Sequence, residues 1–229
     1  MSAPSEVPDR PVALVVRIAA MQPFTIHTGR FIALDRANID TDAIIPARFL
    51  KKIERTGFGE LLFMDLRRRD GQLDPAFPLN RPEAAEASIL VARQNFGCGS
   101  SREHAVWAIQ QAGFRAVVAP RVGDTPAFAD IFRTNSYKNG LLPVEVSEPF
   151  ARRLLAAGTG QLTIDLNQQR LTAHLPDGDF AEPFSIPEGT RRMLLEGLDE
   201  IGLTLRHEAD IAAYEARHPD LAPVESPAP

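Results

Sequence analysis

The most regular hydrophobic pattern lies in the middle of the chain. Short apolar runs at Ile89 to Ala92, Ala116 to Ala119 and Leu141 to Val146 predict three buried strands. Apolar residues at helical spacing from Arg102 to Ala112 predict a helix after the first strand, and the Thr-Pro pair at 125–126 predicts the start of a second helix. This alternation predicts right-handed crossovers, a parallel βαβαβ core and a ligand site at the carboxyl ends of the strands.

The flanking segments show weaker patterns. An alternating segment from Phe24 to Thr28, then Gly29, then an apolar run from Phe31 to Leu34, predicts a strand, a turn and a second strand. The pattern further predicts a polar turn at 35–46, a surface loop or lid at 65–87, a helix capped by Ser147 that ends at Gly158, a strand at 162–166, and helices at about 190–200 and 208–217.

Composition and the two ends set the domain organisation. Hydrophobic residues make up 44% and charged residues 24% of the 229 residues, which is ordinary for a globular protein. Residues 1–20 are rich in Pro, Ser and Ala and are predicted to be a flexible extension, and the proline-rich segment 218–229 is predicted to be a flexible tail. We expect one domain between them, over residues 21–217.

Charge, hydropathy and cysteine content exclude several classes of protein. The net charge of −5 provides no field that would attract nucleic acid. No apolar run approaches the roughly 18 residues that a membrane-spanning helix needs, and no export signal is recognisable. The single cysteine can form neither an internal disulfide nor the ligand set of an iron–sulfur cluster, so any cluster would lie on a partner. Low cysteine content predicts a reducing, cytoplasmic environment.

The stretch N-F-G-C-G-S-S-R-E-H-A at 95–105 is the strongest candidate for chemistry. Its two glycines allow close backbone approach, and the following helix directs N–H groups at the loop, which favours an anion. Ser100 and Glu103 also fit a capping box, which needs no ligand. Arg102 replaces the third glycine of a dinucleotide fingerprint, but its guanidinium could clamp a carboxylate. Cys98 and His104 could form a nucleophile and its base, although no third member is evident.

Five ordered motifs resemble the small subunit of bacterial 3-isopropylmalate dehydratase, over about residues 21–217. The motifs are N-I-D-T-D-A-I-I-P-A-R-F-L at 38–50, R-T-G-F-G at 55–59, N-F-G-C-G-S-S-R-E-H-A at 95–105, A-D-I-F at 129–132 with N-G-L-L-P-V at 139–144, and G-L-D-E-I-G-L-T-L at 197–205. The resemblance implies a three-layer β/β/α swivelling domain, like the fourth domain of aconitase. It also implies a large-subunit partner that carries a four-iron four-sulfur cluster.

The resemblance also implies roles for individual residues. Ser100 matches the catalytic base, and Ser101 and Arg102 match residues that bind a substrate carboxylate. The implied reaction interconverts 2-isopropylmalate and 3-isopropylmalate, which are small dicarboxylates, through a dehydrated intermediate in leucine biosynthesis. The iron of the partner would act as a Lewis acid on the substrate hydroxyl.

A second group of candidate substrate-binding residues lies in the first two motifs. Asp42 matches an acidic position of the aconitase site, although an Asx turn explains it equally well. The basic residues around 48–55 include Lys52 and Arg55, which could face a dicarboxylate, although such a run also fits a solvated surface. The resemblance places a substrate-selecting loop here, so Phe49 and Leu50 are expected to contact an isopropyl group.

Two departures and three alternatives remain open at this point. Residues 121–128 form a longer connection than is typical of the family, and the extension before Met21 is additional. The alternatives are a sister hydro-lyase acting on homoaconitate, citraconate or a methylthioalkylmalate, a non-catalytic binding protein of the same fold, and a cysteine hydrolase that uses Cys98.

Overall fold

A computed structural model of the chain describes residues 21–51, 54 and 56–218. The predicted extension at 1–20, the candidate substrate ligands Lys52 and Arg55, and all but the first residue of the predicted tail at 218–229 lie outside the described residues.

Helices and strands alternate along the first two thirds of the described chain. The strands are β1 (Ile26–Leu34), β2 (Arg68–Arg69), β3 (Gln72–Leu73), β4 (Ala87–Ala92), β5 (Ala116–Pro120), β6 (Leu142–Val146), β7 (Thr159–Asp165), β8 (Arg170–Leu175) and β9 (Gly178–Pro183). The α-helices are α1 (Thr41–Ile44), α2 (Glu103–Gln111), α3 (Asp130–Asn139), α4 (Glu148–Ala157), α5 (Glu188–Glu196), α6 (Glu200–Leu205) and α7 (Glu208–Arg217).

Seven strands form one mixed sheet in the order β6-β5-β4-β1-β7-β8-β9. Strands β1, β4, β5 and β6 pair in parallel, whereas β7, β8 and β9 pair antiparallel, with β7 joined to β1. Helical crossovers connect β4 to β5 and β5 to β6, and short turns connect β7 to β8 and β8 to β9, as each pairing requires. The predicted parallel βαβαβ core is therefore confirmed as β4-α2-β5-α3-β6.

The sheet curls so that its two edges meet. Strands β6 and β9 lie at opposite edges, which in a flat sheet of this width would stand about 29 Å apart. The residue after β6, Ser147, nevertheless donates through its N–H to Glu182 of β9 at 2.6 Å. The antiparallel half therefore folds over one face of the parallel half. The predicted α/β, three-layer architecture is confirmed.

Two apolar clusters fill the spaces between these layers. Phe31 and Ala33 of β1 point into a cluster shared by the two halves of the sheet and α4. Ile32 and Leu34 point the other way, into a cluster that also contains the buried faces of α1, α2 and α3. The parallel half is thus covered on both faces, which explains its near-continuous apolar strands.

The predicted strand, turn and strand at the start of the domain were wrong. A single strand, β1, runs through Gly29, which pairs with Leu162, and it contains a register irregularity between Arg30 and Phe31. Gly29 is needed for close packing rather than for a turn, because a Cβ there would lie 2.0 Å from Ser88 Oγ.

The second crossover helix begins later than predicted. Helix α3 starts at Asp130, not at the Thr-Pro pair. The segment Pro126–Ala129 remains extended because Asn95 N–H donates to the Pro126 carbonyl at 2.8 Å and Phe96 N–H donates to the Ala127 carbonyl at 2.9 Å. The long connection at 121–128 therefore enlarges the loop before α3 rather than extending the helix.

Three further segments differ from their predictions. The polar turn at 35–46 contains the short helix α1, and the predicted lid at 65–87 contains the β2-β3 hairpin and two 3-10 helices. The hairpin β8-β9 was not predicted. The Ser147-capped helix was correct, since Ser147 Oγ accepts from Phe150 N–H at 3.3 Å and α4 ends before Gly158.

Candidate functional site

The glycine-serine motif forms an irregular segment after strand β4, here called the site loop and defined as Asn95–Arg102. It lies between two other segments that bond to its backbone. On one side, Gly97 N–H donates to the Ile39 carbonyl at 2.7 Å. On the other side, Ala129 N–H donates to the Phe96 carbonyl at 3.0 Å. The carboxyl-end location predicted from the strand order is therefore correct.

The two glycines of the site loop are required for different reasons. Gly97 has φ of 75°, and a Cβ on it would lie 2.2 Å from Cγ of Phe132. Gly99 has φ of 90°, with ordinary spacing to Asp40 and Thr41. Gly97 thus allows the loop to pack closely against Phe132 of α3, whereas Gly99 provides a backbone conformation that residues with a side chain rarely adopt.

Three consecutive residues, Asp40–Asp42, hold the far end of the site loop; we call them the anchor segment. Asp40 forms a parallel bridge with Cys98 and caps α1 by accepting Ala43 N–H at 2.6 Å. Thr41 Oγ1 donates to the Ser100 carbonyl at 2.9 Å. The motifs at 38–50 and 95–105 thus meet in space across about sixty residues.

Ser100 and Ser101 both lie exposed at the surface. The predicted capping box does not form, because Arg102 is the N-cap residue of α2 and no side chain caps the helix. Glu103 instead accepts a hydrogen bond from the side chain of Asn139 at 2.9 Å. Neither serine hydroxyl bonds to another residue within the described ranges, so both are available to a ligand.

Arg102 lies at the start of α2 and is paired with Asp42 of the anchor segment. Its Nη1 donates to Asp42 Oδ1. The guanidinium side chain is only 14% exposed, whereas the Asp42 carboxylate is 54% exposed. The Asx-turn explanation of Asp42 does not apply, because Asp40 is the residue that caps α1. Asp42 therefore orients the Arg102 guanidinium, which follows Ser100 and Ser101 in the chain.

Asn139, at the end of α3, fixes the helix that carries this guanidinium. Its side-chain oxygen accepts the Trp107 indole N–H at 2.9 Å, and its carbonyl accepts from Gln110 at 2.5 Å. Together with the bond to Glu103, these contacts tie three positions of α2 to one residue. Sequence reasoning missed this role, although the Asn-Gly pair at the end of a predicted helix marked the position.

Phe49 and Leu50 are the candidate site residues around residue 50 that the structure describes. Phe49 and Leu50 are half-buried, and Phe49 packs against the apolar cluster beneath the helices. Arg48, one of the basic residues around 48–55, forms a two-pronged bond with Asp65 at 2.9 and 2.5 Å, and both side chains are more than half exposed. At Arg48 the solvated-surface interpretation of the basic run is the better one.

Cys98 and His104 are not arranged as a nucleophile and its base. Burial and the Asp40 carboxylate raise the pKa of the Cys98 thiol, which keeps it protonated. His104 packs against the rings of Phe58 and Trp107, with centroids 5.3 and 4.8 Å away. No hydrogen bond joins the two residues in the described structure, so the geometry does not favour the cysteine hydrolase.

The main open cleft among the described residues lies away from the predicted base. An open cleft of about 550 Å³ lies between α3, β6 and the segment after β9, and it is lined by residues that include Arg133, Tyr137 and Glu145 but not by Ser100 or Arg102. Among the described residues, no group of three or more His, Cys, Asp or Glu side chains could hold a metal ion. In the same residues, no helix is long and apolar enough to cross a membrane.

Comparisons with known proteins agree with this geometry. The family model of the aconitase C-terminal domain matches residues 21–149, which include the anchor segment and the site loop. A second model, of the C-terminal domain of the 3-isopropylmalate dehydratase small subunit, matches residues 200–223. A 3-isopropylmalate dehydratase small subunit from Desulforapulum autotrophicum is 53% identical over 210 residues, covering 87% of this chain and 97% of the relative.

The chain belongs to the 3-isopropylmalate dehydratase small-subunit family. Another member, from Geobacillus kaustophilus, is 53% identical over 202 residues and covers 86% of this chain and 98% of its own length. The solved structure of a 3-isopropylmalate dehydratase from Methanocaldococcus jannaschii matches with a TM-score of 0.59 and 27% identity, over 83% of this chain and 99% of that one. The resemblance recognised from the five motifs is therefore confirmed.

The site predicted from sequence is incomplete in one respect. Sequence reasoning identified Asp42 but missed its neighbours Asp40 and Thr41, which make the backbone contacts to the loop. The D-T-D pattern contained a signal, since an Asp before a short helix is a typical N-cap. Which residue of a distant loop it would contact could not be derived from the local pattern.

Proposed function

We propose that this chain is the small subunit of a 3-isopropylmalate dehydratase and that Ser100 is its catalytic base. The chain is a hydro-lyase subunit by family, and the names of its relatives support this substrate. The observation that carries the assignment of residues is the meeting of Ser100, Ser101, Arg102 and Asp42 at one exposed place at the carboxyl end of β4. The reaction interconverts 2-isopropylmalate and 3-isopropylmalate, a step of leucine biosynthesis.

Ser100 takes a proton from the carbon next to the one that bears the substrate hydroxyl. A serine hydroxyl is a weak base near neutral pH, so its alkoxide must be stabilised. The uncapped start of α2 and the Arg102 guanidinium supply positive potential on that side of the loop. Loss of the hydroxyl from the substrate gives an unsaturated acid, and water then returns at the other carbon.

Arg102 and Ser101 bind a substrate carboxylate. A guanidinium that is mostly buried keeps a fixed direction, and it offers two parallel N–H groups to a carboxylate. Asp42 holds that guanidinium from its exposed side. Phe49, Leu50, Lys52 and Arg55 are proposed to complete the substrate site from the neighbouring loop, with the two apolar residues facing the isopropyl group.

The other half of the active site comes from a large subunit. One cysteine in the whole chain cannot supply the thiolates of a four-iron four-sulfur cluster, so the donor set of this chain does not fit that group. The cluster would supply Lewis-acid activation of the substrate hydroxyl. The exposed site loop is the kind of surface that a second polypeptide completes.

The proposal includes the location and the organisation of the chain. We place the pair in the cytoplasm, because low cysteine content is typical of a reducing compartment. Residues 21–217 are proposed to fold as one domain. A sister hydro-lyase with a different side-chain pocket would use the same carboxylate-binding residues, so substrate comparison is required to separate the two.

The test is to reconstitute the enzyme. The chain is purified anaerobically alone and together with a candidate large subunit, and formation of the unsaturated acid from 3-isopropylmalate is followed by ultraviolet absorbance. We expect turnover only by the pair. Homoaconitate, citraconate and a methylthioalkylmalate are assayed in parallel, and each is expected to give a kcat/KM at least about tenfold lower because the side-chain pocket does not fit.

Two results would contradict this function. Turnover by the isolated chain at the rate of the pair would remove the need for a partner. A higher kcat/KM for one of the other acids would reassign the chain to that sister enzyme.

A further inference from the structure

One buried hydroxyl lies directly beneath the site loop. Thr41 is 1% exposed, and Ser136 is the other buried polar residue in the described part of the chain. Thr41 Oγ1 donates to the Ser100 carbonyl at 2.9 Å, and Thr41 N–H donates to the Cys98 carbonyl at 2.9 Å. A single residue therefore holds the backbone on both sides of Gly99.

The loop needs such a support because little else fixes this part of it. Gly99 has φ of 90° and, like any glycine, has a wide range of accessible conformations. Ser100 is exposed, and its hydroxyl makes no bond to any residue that the structure describes. The direction of the Ser100 side chain is therefore set through its backbone, and the buried contact that sets it comes from Thr41.

We propose that Thr41 is a positioning residue of the reaction, whose hydroxyl fixes the Ser100 carbonyl and with it the direction of the Ser100 side chain. The inference rests on the proposed function, since it concerns the same site. Thr41 touches no substrate, and it acts only through Ser100. A misplacement of about 1 Å at a reacting group can lower a rate about 100-fold, so one lost hydrogen bond here has a large kinetic effect.

The experiment compares Thr41→Val with Thr41→Ser in the reconstituted pair. Valine keeps the shape and removes the hydroxyl, whereas serine keeps the hydroxyl. We expect Thr41→Val to lower kcat about tenfold or more, with KM changed less than about threefold, and Thr41→Ser to stay within about threefold of the wild type. With 3-isopropylmalate deuterated at the carbon that loses its proton, the isotope effect on kcat should rise in Thr41→Val.

Ser136→Ala is the matched control. The Ser136 hydroxyl is also buried and donates to a backbone carbonyl, that of Phe132, at 2.8 Å within α3. Both variants should lower the melting temperature by a similar few degrees, but Ser136→Ala should keep its kcat and isotope effect. Wild-type kcat in Thr41→Val, or an equal loss in Ser136→Ala, would overturn the proposal.

A second measurement does not depend on turnover. Amide hydrogen exchange of residue 41 and of Gly97, whose N–H groups bond residues 39–41 and the site loop together, should be faster in Thr41→Val than in the wild type or in Thr41→Ser. Unchanged exchange at these amides would also overturn the proposal. An inactive wild-type pair would contradict the proposed function, whereas the exchange experiment would still decide whether Thr41 holds the loop.

Discussion

The two halves of the sheet differ in burial and in what their surfaces carry. All five residues of β5 are buried, whereas β8 alternates between buried and more exposed positions. The parallel half is covered on both faces, so its polar groups are confined to the ends of its strands. The antiparallel half carries polar side chains along the strands themselves.

The antiparallel half carries a hydrogen-bonded row that looks like a catalytic relay. Asp179 bonds to Nδ1 of His174 at 2.8 Å, and Nε2 of His174 bonds to Thr163 at 3.1 Å. Thr163 lies within β7 and bonds onward to Thr28 of β1 at 2.9 Å, so the row ends on another strand side chain. The comparison teaches that bonded side chains alone do not make a site, because an anion also needs converging backbone donors.

Removal of one hydroxyl from each half tests this comparison most strongly. We expect Ser100→Ala to lower kcat of the reconstituted pair by about 100-fold to 10,000-fold, because the base is lost. Thr163→Ala should leave kcat within about twofold, since its hydroxyl lies outside the site. Steady-state kinetics and a melting curve check both variants. A fully active, assembled Ser100→Ala pair would contradict the assignment of the base.

The variants Gly97→Ala and Gly178→Ala compare how closely the surrounding atoms pack against a glycine in each region. Gly97→Ala should destabilise the chain by about 2 to 5 kcal/mol, because left-handed strain adds to overpacking against Phe132. Gly178 also has a positive φ, but no atom lies within 4 Å of its Cβ position. Gly178→Ala should therefore cost only about 1 to 2 kcal/mol. Denaturant unfolding measures the free energy of unfolding of both variants. Equal losses of stability would show that the close packing of Gly97 against Phe132 is unimportant.

Exchange of Arg102, and of Arg153 on α4 beside the β8-β9 hairpin, tests the paired N–H groups of the Arg102 guanidinium. Arg102→Lys keeps the charge but loses the paired N–H groups, so kcat/KM should fall about tenfold or more. Arg153 bonds to Asp177 at 2.9 Å and lies 3.6 Å from the centroid of the Phe180 ring, far from the proposed chemistry. Arg153→Lys should leave kcat/KM unchanged. Wild-type kinetics in Arg102→Lys would mean that a single positive charge is sufficient for substrate binding and that the paired N–H groups are not needed.

The smallest expected effect concerns His27 on β1, the strand shared by both halves. Burial, and secondarily the Arg115 charge, lower the pKa of this imidazole from 6.5. The unfolded chain therefore binds more protons than the folded chain below about pH 6.5, so stability should fall as the pH drops through that value. Melting temperatures between pH 8 and 5.5 should decrease less in His27→Gln. Identical slopes for the two proteins would rule out this contribution.

The sequence was most informative where elements are long and regular. Strands β4, β5 and β6 and helix α2 were predicted close to their observed bounds, because strands buried on both faces are continuous apolar runs. Hairpin β8-β9 was missed although β8 alternates polar and apolar residues; no residue of β9 is buried, which leaves that strand without a clear apolar face. The start of α3 was predicted too early, since hydrogen bonds to the site loop override the local signal of the Thr-Pro pair.

The candidate residues were found by resemblance, whereas their contacts could not be derived from the sequence. The five motifs identified Ser100, Ser101, Arg102 and Asp42 by resemblance, and the structure brings these four together. The contact between Thr41 and Ser100 depends on how two distant loops are aligned, which no local pattern encodes. The capping box that Ser100 and Glu103 fit in sequence does not form, because Arg102 is the N-cap residue of α2.

The distance along the chain between the paired site residues has a consequence for folding. Thr41 and Ser100 are 59 positions apart, and Asp42 and Arg102 are 60 positions apart. A segment of that length must close before either contact exists, and closure of such segments slows folding. During refolding, the Asp42–Arg102 pair should therefore form together with the pairing of β1 and β4. Recovered activity would then report on folding of the whole domain rather than on a local event.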